Sequence, residues 1–125
     1  MKTIISTKEA PAAIGPYSQA VEAGGFIFIS GQLPVDPATG AMETADTALQ
    51  TSAVIRNIEA ILKSRGLSLD NVIKTTVFMT DLGEFAKMNE VYARFFTANP
   101  PARATIEVKA LPKAALVEIE AVASK

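Results

Sequence analysis

The chain contains no histidine, no cysteine and no tryptophan among its 125 residues. Without His there is no Ser-His-Asp relay. Without Cys there is no thiol nucleophile, no disulfide and no Cys/His zinc site. Any catalysis must rest on carboxylates, Arg, Lys, Tyr, hydroxyls or backbone groups, so neither a metal nor a cofactor is expected. Absent disulfides agree with a reducing compartment. Charge is also sparse, at 20% of residues and a net −1. The 12 Lys and Arg residues are scattered from Lys2 to Lys125 with no basic run, which leaves nucleic-acid binding without its usual clustered cations. No segment approaches the ~20 consecutive apolar residues of a membrane span. The first residues, Met1 to Glu9, hold only Ile4-Ile5 as adjacent large apolar side chains, which is no signal-peptide core. The expected location is the cytoplasm. The glycines form no G-x-G-x-x-G or Walker pattern, so no nucleotide-cradling loop is predicted.

What is present is apolar. Hydrophobic residues make up 49% of the chain, with a mean hydropathy of +0.25. The length suits one domain over residues 1–125. A body this small has little interior, so part of the apolar surface is expected to be buried between subunits.

Lys2 to Ser6 predicts a short strand, and Pro11, Gly15 and Pro16 punctuate the loop that follows. A strand over Tyr17–Ala23 is predicted to turn at Gly24-Gly25 into Phe26-Ile27-Phe28-Ile29. That second strand is apolar on both parities, so it is expected to be buried on both sides, by helices and by a partner. Asp46 or Thr44 can cap a helix reaching about Arg65, with Val54, Ile58, Ile61 and Leu62 as its stripe and Gly66 as its stop. Val72 to Thr80 is rich in strand formers. Asp81 and Glu84 form a variant capping box for a helix over Leu82–Phe96, whose inner face carries Phe85, Met88, Tyr92, Phe95 and Phe96, with Asn89 among them. The order is βββαβαββ. Two helices can cover only one face of a six-stranded sheet, so an α+β fold with one solvated or interfacial face is expected.

The chemistry concentrates in the last two strands. Arg103, Thr105 and Glu107 share one parity, and Ala104, Ile106 and Val108 the other. In Val117 to Val122, Glu118 and Glu120 oppose Val117, Ile119 and Ala121. Pairing these strands as a hairpin would put a guanidinium fork and carboxylates on one surface, a site for a small anion and a water. Arg103 is then either an anion ligand or a structural ion pair with Glu118 or Glu120. Glu118 is either a general base or a solvent-facing strand carboxylate, and alternation does not choose among Glu107, Glu118 and Glu120. A buried Asn89 amide needs partners, from backbone or from a ligand. Tyr17 sits at a loop-to-strand junction, where most tyrosines simply pack. Ser30-Gly31 ends the apolar strand, where Gly31 allows close approach of a ligand or marks a bulge.

Taken in order, A-P-A-A-I-G-P-Y-S-Q-A from Ala10, Ser30-Gly31-Gln32, Lys74-Thr75-Thr76-Val77-Phe78, Pro101-Ala102-Arg103, Leu111-Pro112-Lys113 and Glu118-Ile119-Glu120-Ala121 resemble the RidA (YjgF) family. The likeness runs from near residue 2 to near residue 123. It implies a chorismate-mutase-like fold, a six-stranded mixed sheet with two helices on one face, and a homotrimer with ligand sites in clefts between neighbours. It implies hydrolytic deamination of reactive enamines and imines, such as 2-aminoacrylate and 2-aminocrotonate, to 2-ketoacids and ammonia. These intermediates come from pyridoxal-phosphate-dependent dehydratases acting on Ser and Thr. By resemblance Arg103 binds the substrate carboxylate, Glu118 positions water with Tyr17 assisting, and Ser30, Gly31, Asn89 and Thr105 line the pocket. Thr105 stands where several relatives carry Cys or Ala, and the Thr97–Pro100 loop is shorter than in some of them. Two other roles compete: a non-catalytic trimer that binds 2-ketoacids or related small carboxylates, and a ribonuclease, which the acidic pI of about 5.4 and missing His disfavour.

Overall fold

The computed structural model describes residues 1–125, with strands β1 (Thr3–Ile5), β2 (Ala20–Ala23), β3 (Phe26–Gln32), β4 (Val72–Met79), β5 (Ala102–Glu107) and β6 (Val117–Ser124) and helices α1 (Thr47–Lys63) and α2 (Phe85–Phe95). The βββαβαββ order is the one the sequence predicts. Gly24 (φ +60°) and Gly25 (φ +83°) form the two-residue link between β2 and β3, with Ala23 paired to Phe26. Two successive left-handed positions match the twist of the strands they join, which is why glycine is needed there. Asp46 caps α1 by accepting from the Leu49 N–H at 2.9 Å. The predicted stripe of Val54, Ile58, Ile61 and Leu62 is fully buried, together with Ile55. Gly66, at φ +72°, ends the helix, with Leu67 N–H bonded back to the Leu62 carbonyl at 3.0 Å.

Three local expectations need correction. The Tyr17–Ala23 strand starts only at Ala20, because Tyr17 N–H bonds to the Gly15 carbonyl at 2.9 Å in a tight turn. The Asp81/Glu84 capping box does not close. Asp81 caps a 3-10 turn over Leu82–Glu84, and the Glu84 carboxylate instead accepts from Thr47 Oγ1 and Lys87, so α2 begins at Phe85. Within one chain, β3 is buried on one side only: Ile27 and Ile29 are buried, while Phe26 is 41% and Phe28 47% exposed.

The sheet order is β1-β2-β3-β6-β4-β5. All pairs are antiparallel except β4 with β5. The expected β5–β6 hairpin is therefore absent. Helix α2 carries the chain back so that β5 runs parallel to β4, as a crossover requires. β6 then crosses over β4 and pairs with both β4 and β3. Its lead-in holds Pro112 and two left-handed residues, Lys113 (φ +57°) and Ala114 (φ +56°), which is no two-residue hairpin turn.

Both helices lie on one face, over a core that includes Ile27, Ile29, Val77, Met79, Val117 and Ile119. The opposite face is bare. Ile4, Val21, Phe28 and Val122 form one cross-strand row on it, and Ile4 is 54% exposed. No helix is long and apolar enough to cross a membrane.

Candidate functional site

Arg103 is the second residue of β5, paired with Thr75 on β4. Thr75 is buried and its hydroxyl shares a 2.7 Å hydrogen bond with the Tyr92 hydroxyl of α2. Arg103 therefore sits on the helix-covered face, at the rim of the sheet. Its Nη1 donates to Asn89 Oδ1 at 2.8 Å, and its guanidinium carbon lies 4.7 Å from the Tyr92 ring centre and 5.5 Å from that of Phe85. A cavity of about 400 Å³ opens here, lined by Asn89, Tyr92, Ala93, Phe96, Pro100, Pro101 and Arg103. The ion pairs of the chain join Arg65 and Lys125 to Glu22, Lys87 to Glu84 and Arg94 to Glu90. Arg103 is in none of them, so the structural ion pair with Glu118 or Glu120 does not form within one chain. Asn89 is half-buried and bonds this guanidinium rather than backbone. Burial pushes the Tyr92 phenol up, against smaller opposing effects of the Thr75 hydrogen bond and the Arg103 charge.

Thr105 lies two residues further on the same side of β5, opposite the fully buried Val77. Its Oγ1 is buried with no hydrogen-bond partner. Glu107 is spent on structure, accepting from Leu82 N–H at 2.9 Å.

The other candidates meet elsewhere. Tyr17, Ser30, Gly31 and Glu118 line a groove of about 800 Å³ together with Pro11, Ile14, Lys113 and Glu120. The groove exists because β3 bulges. Ile29 pairs with Ala121 and Gln32 with Ile119, so β3 carries one extra residue across Ser30-Gly31. Gly31 thus lies in a bulge, one of the two readings its sequence position left open, and β3 runs on to Gln32. The group that approaches it closely is Glu118. A Cβ on Gly31 would lie 2.5 Å from Glu118 Oε2 and 2.9 Å from Cδ. The Glu118 carboxyl is held above the ordinary range, first by loss of solvent and second by the charge of Glu120. The Tyr17 hydroxyl accepts from Ile14 N–H at 3.3 Å, which leaves its proton free to donate, and the side chain is 52% exposed. Ser30 Oγ donates to the Ser18 carbonyl at 2.6 Å, so its proton is committed to holding the loop.

Sequence reasoning missed the buried amides that shape this groove. Gln19 accepts from Thr7 N–H and donates toward the Thr7, Ala10 and Pro11 carbonyls, fastening the loop before β2. Asn57 donates to the Leu33 and Val35 carbonyls, and Gln50 accepts from Leu116 N–H at 2.8 Å, fixing the start of β6. Gln50 and Asn57 fall on the stripe of α1 between apolar positions, which is a readable signal. Gln19 carries none.

The family profile described as Endoribonuclease L-PSP matches residues 7–125. A RutC family protein of Pyrococcus horikoshii is 54% identical over 125 residues, spanning 100% of this chain and 99% of that protein. The human protein named 2-iminobutanoate/2-iminopropanoate deaminase is 46% identical over 123 residues, spanning 98% of this chain and 90% of that protein. The chain belongs to the RidA (YjgF/RutC) family. A crystal structure of E. coli TdcF with bound serine superposes with a TM-score of 0.94 at 47% identity, covering 98% of each chain. The family therefore includes named imine deaminases, alongside relatives known by family membership alone.

In this RidA-family chain the two halves of the candidate site face opposite ways. Val117, Ile119 and Ala121 point at the helices and are buried, which turns Glu118 and Glu120 to the bare face. Arg103 points to the helix side. Within one chain the guanidinium and the carboxylate are separated by the sheet itself.

Proposed function

We propose that the protein hydrolyses small 2-imino acids and their enamine tautomers to 2-ketoacids and ammonia, at sites assembled between copies of the chain. The observation that carries this reading is Arg103: a guanidinium with no carboxylate partner, opening on a cavity. Such a fork suits a substrate carboxylate in bidentate fashion. The acidic half of the site, Glu118 with Tyr17 beside Gly31, stands on the opposite face, so a neighbouring copy must bring it. The bare apolar face offers the surface for that contact, and a closed ring of three copies would give each cleft one Arg103 and one Glu118.

The chemistry asks little of the protein. An imine is already electrophilic. Arg103 holds the carboxylate, and Glu118 takes a proton from water as its oxygen bonds to the imine carbon. Glu118 returns that proton to the nitrogen, giving the tetrahedral carbinolamine. As the C–N bond breaks and the C=O forms, the hydroxyl proton passes by way of Glu118 to the departing nitrogen, and ammonia leaves. Holding substrate and water in register removes much of the entropic cost of attack. Desolvation of Glu118 raises its basicity toward working pH, which favours proton transfer. Substrate would come from pyridoxal-phosphate-dependent dehydratases that release 2-aminoacrylate or 2-aminocrotonate, and the shared compartment proposed is the cytoplasm. The ribonuclease named in the family's description finds no basic run and no histidine in this chain, whose net charge is −1.

The test is a dehydratase-coupled assay for accelerated pyruvate release. Arg103→Ala should abolish acceleration, and Glu118→Gln should lower the turnover rate more than ligand binding while leaving measurable residual turnover, with both variants remaining folded. Unfolded and reassembled together, the two variants should regain activity, because some clefts then pair an intact Arg103 with an intact Glu118 from different chains. Failure to complement would refute the shared site. Ketoacid binding by the wild type without turnover would favour the binding-module reading instead.

A further inference from the structure

Phe85, Asn89 and Tyr92 stand four and three residues apart on α2, the spacing that stacks side chains on one helix face. All three meet the same guanidinium, through one hydrogen bond and two ring contacts. Tyr92 is itself immobilised, buried and bonded to the buried Thr75. We infer that this face of α2 is a positioning cradle for Arg103, and that Asn89 acts on substrate affinity by fixing which edge of the guanidinium faces the ligand. The inference rests on the reading of Arg103 as the carboxylate anchor.

A free arginine side chain loses much rotamer entropy when it binds an anion. Here that ordering is done in advance. The rings locate the guanidinium within the ~6 Å range of a cation–π contact. Asn89 Oδ1 takes one N–H of Nη1 and is the sole protein acceptor for the group. Arg offers five donors, so four remain, and the Nε–Nη2 edge is left wholly free of protein acceptors for a carboxylate. Asn is suited to the task because its carbonyl is neutral. An Asp in its place would also accept from Nη1, but its charge would compete with the ligand for the same cation. Arg103 and the Asn89–Arg103 bond are exposed, so the contact contributes little to folding. Its effect should appear in binding.

The experiment compares wild type, Asn89→Ala and Asn89→Asp in the dehydratase-coupled assay, and measures 2-oxobutanoate binding by calorimetry. Asn89→Ala should raise KM about tenfold, as loss of a hydrogen bond to a charged group predicts, with kcat changed less than about twofold, the pattern of lost uniform binding. The ketoacid Kd should rise in parallel and the unfolding midpoint should stay fixed. Asn89→Asp should raise both constants further. A purely structural Asn89 would move the midpoint and leave KM and Kd alone, and that result would overturn the inference. So would Asn89→Asp binding as tightly as wild type. Ketoacid binding that responds to Asn89 in a protein that turns over no imine would sink the hydrolase reading and leave the cradle standing. A wild type that binds no small carboxylate would overturn both.

Discussion

Replacing Gly31 with alanine isolates the placement of Glu118. Gly31 is not among the glycines with left-handed φ, so its backbone conformation is open to alanine. The obstacle is space alone. The new Cβ would sit 2.5 Å from Glu118 Oε2, where ordinary contact begins at 3.4 Å, so the carboxylate must retreat by the difference, 0.9 Å. The clash is with the far end of a side chain that borders an open groove, and the retreat should cost no more than about 1 kcal/mol of stability. The catalytic cost is larger, since a misplacement near 1 Å can lower a rate about 10²-fold. Gly31→Ala should therefore fall about 100-fold in kcat in the dehydratase-coupled assay, with its urea midpoint close to wild type. In a Glu118→Ala background the same change should add nothing, because no carboxylate remains to be displaced. That non-additivity is the signature of a direct contact. Wild-type kcat in Gly31→Ala would refute the reasoning, as would an equal further loss in the Glu118→Ala background.

Thr105 and Glu22 give two tests that do not depend on turnover. Thr105→Val replaces a buried hydroxyl that has no partner by a methyl of similar shape. It should stabilise the fold by about 1–2 kcal/mol in urea denaturation, and a loss of stability would reveal a partner for Oγ1. Glu22 is held below the usual carboxylate range by hydrogen bonds from Lys125 and then Arg65. With the folded pKa depressed, its contribution is present above the unfolded value of about 4.3 and is lost as pH falls through the folded one. Glu22→Gln should accordingly be less stable than wild type at neutral pH and match it in strong acid. A pH-independent offset between the two stability curves would contradict that account, and added salt should narrow the gap.

The elements were legible because local physics writes them. Asp46, Gly24-Gly25 and Gly66 act through their own backbone neighbourhoods, and the α1 stripe follows from helical period alone. Strand partners were not legible. Alternation along Arg103–Val108 and Val117–Val122 sorts residues onto two faces but does not say which face of one strand matches which face of another. Here they are opposed. On β6 the apolar parity lies under the helices, while on β5 it is Ile106, 44% exposed, that faces away, opposite Phe78 of β4. Arg103 and Glu118 are therefore not face-sharing neighbours within one chain. Gly31 was legible as a point of close approach, but which group approaches it depends on a bulge whose register only the assembled sheet defines.

The last-made strand of the sheet lies near its middle. β6 follows every other strand in sequence, yet it alone joins the β1-β2-β3 hairpins to the β4-β5 pair. Until residues 117–124 leave the ribosome, the nascent chain holds two half-sheets with raw inner margins on β3 and β4, both rich in sticky strand formers. Such unpaired margins are templates for aggregation. Cotranslational folding thus cannot finish early, and the same insertion that closes the sheet is the event that sets Glu118 beside Gly31, so an unfinished chain is vulnerable and lacks the groove's acidic wall.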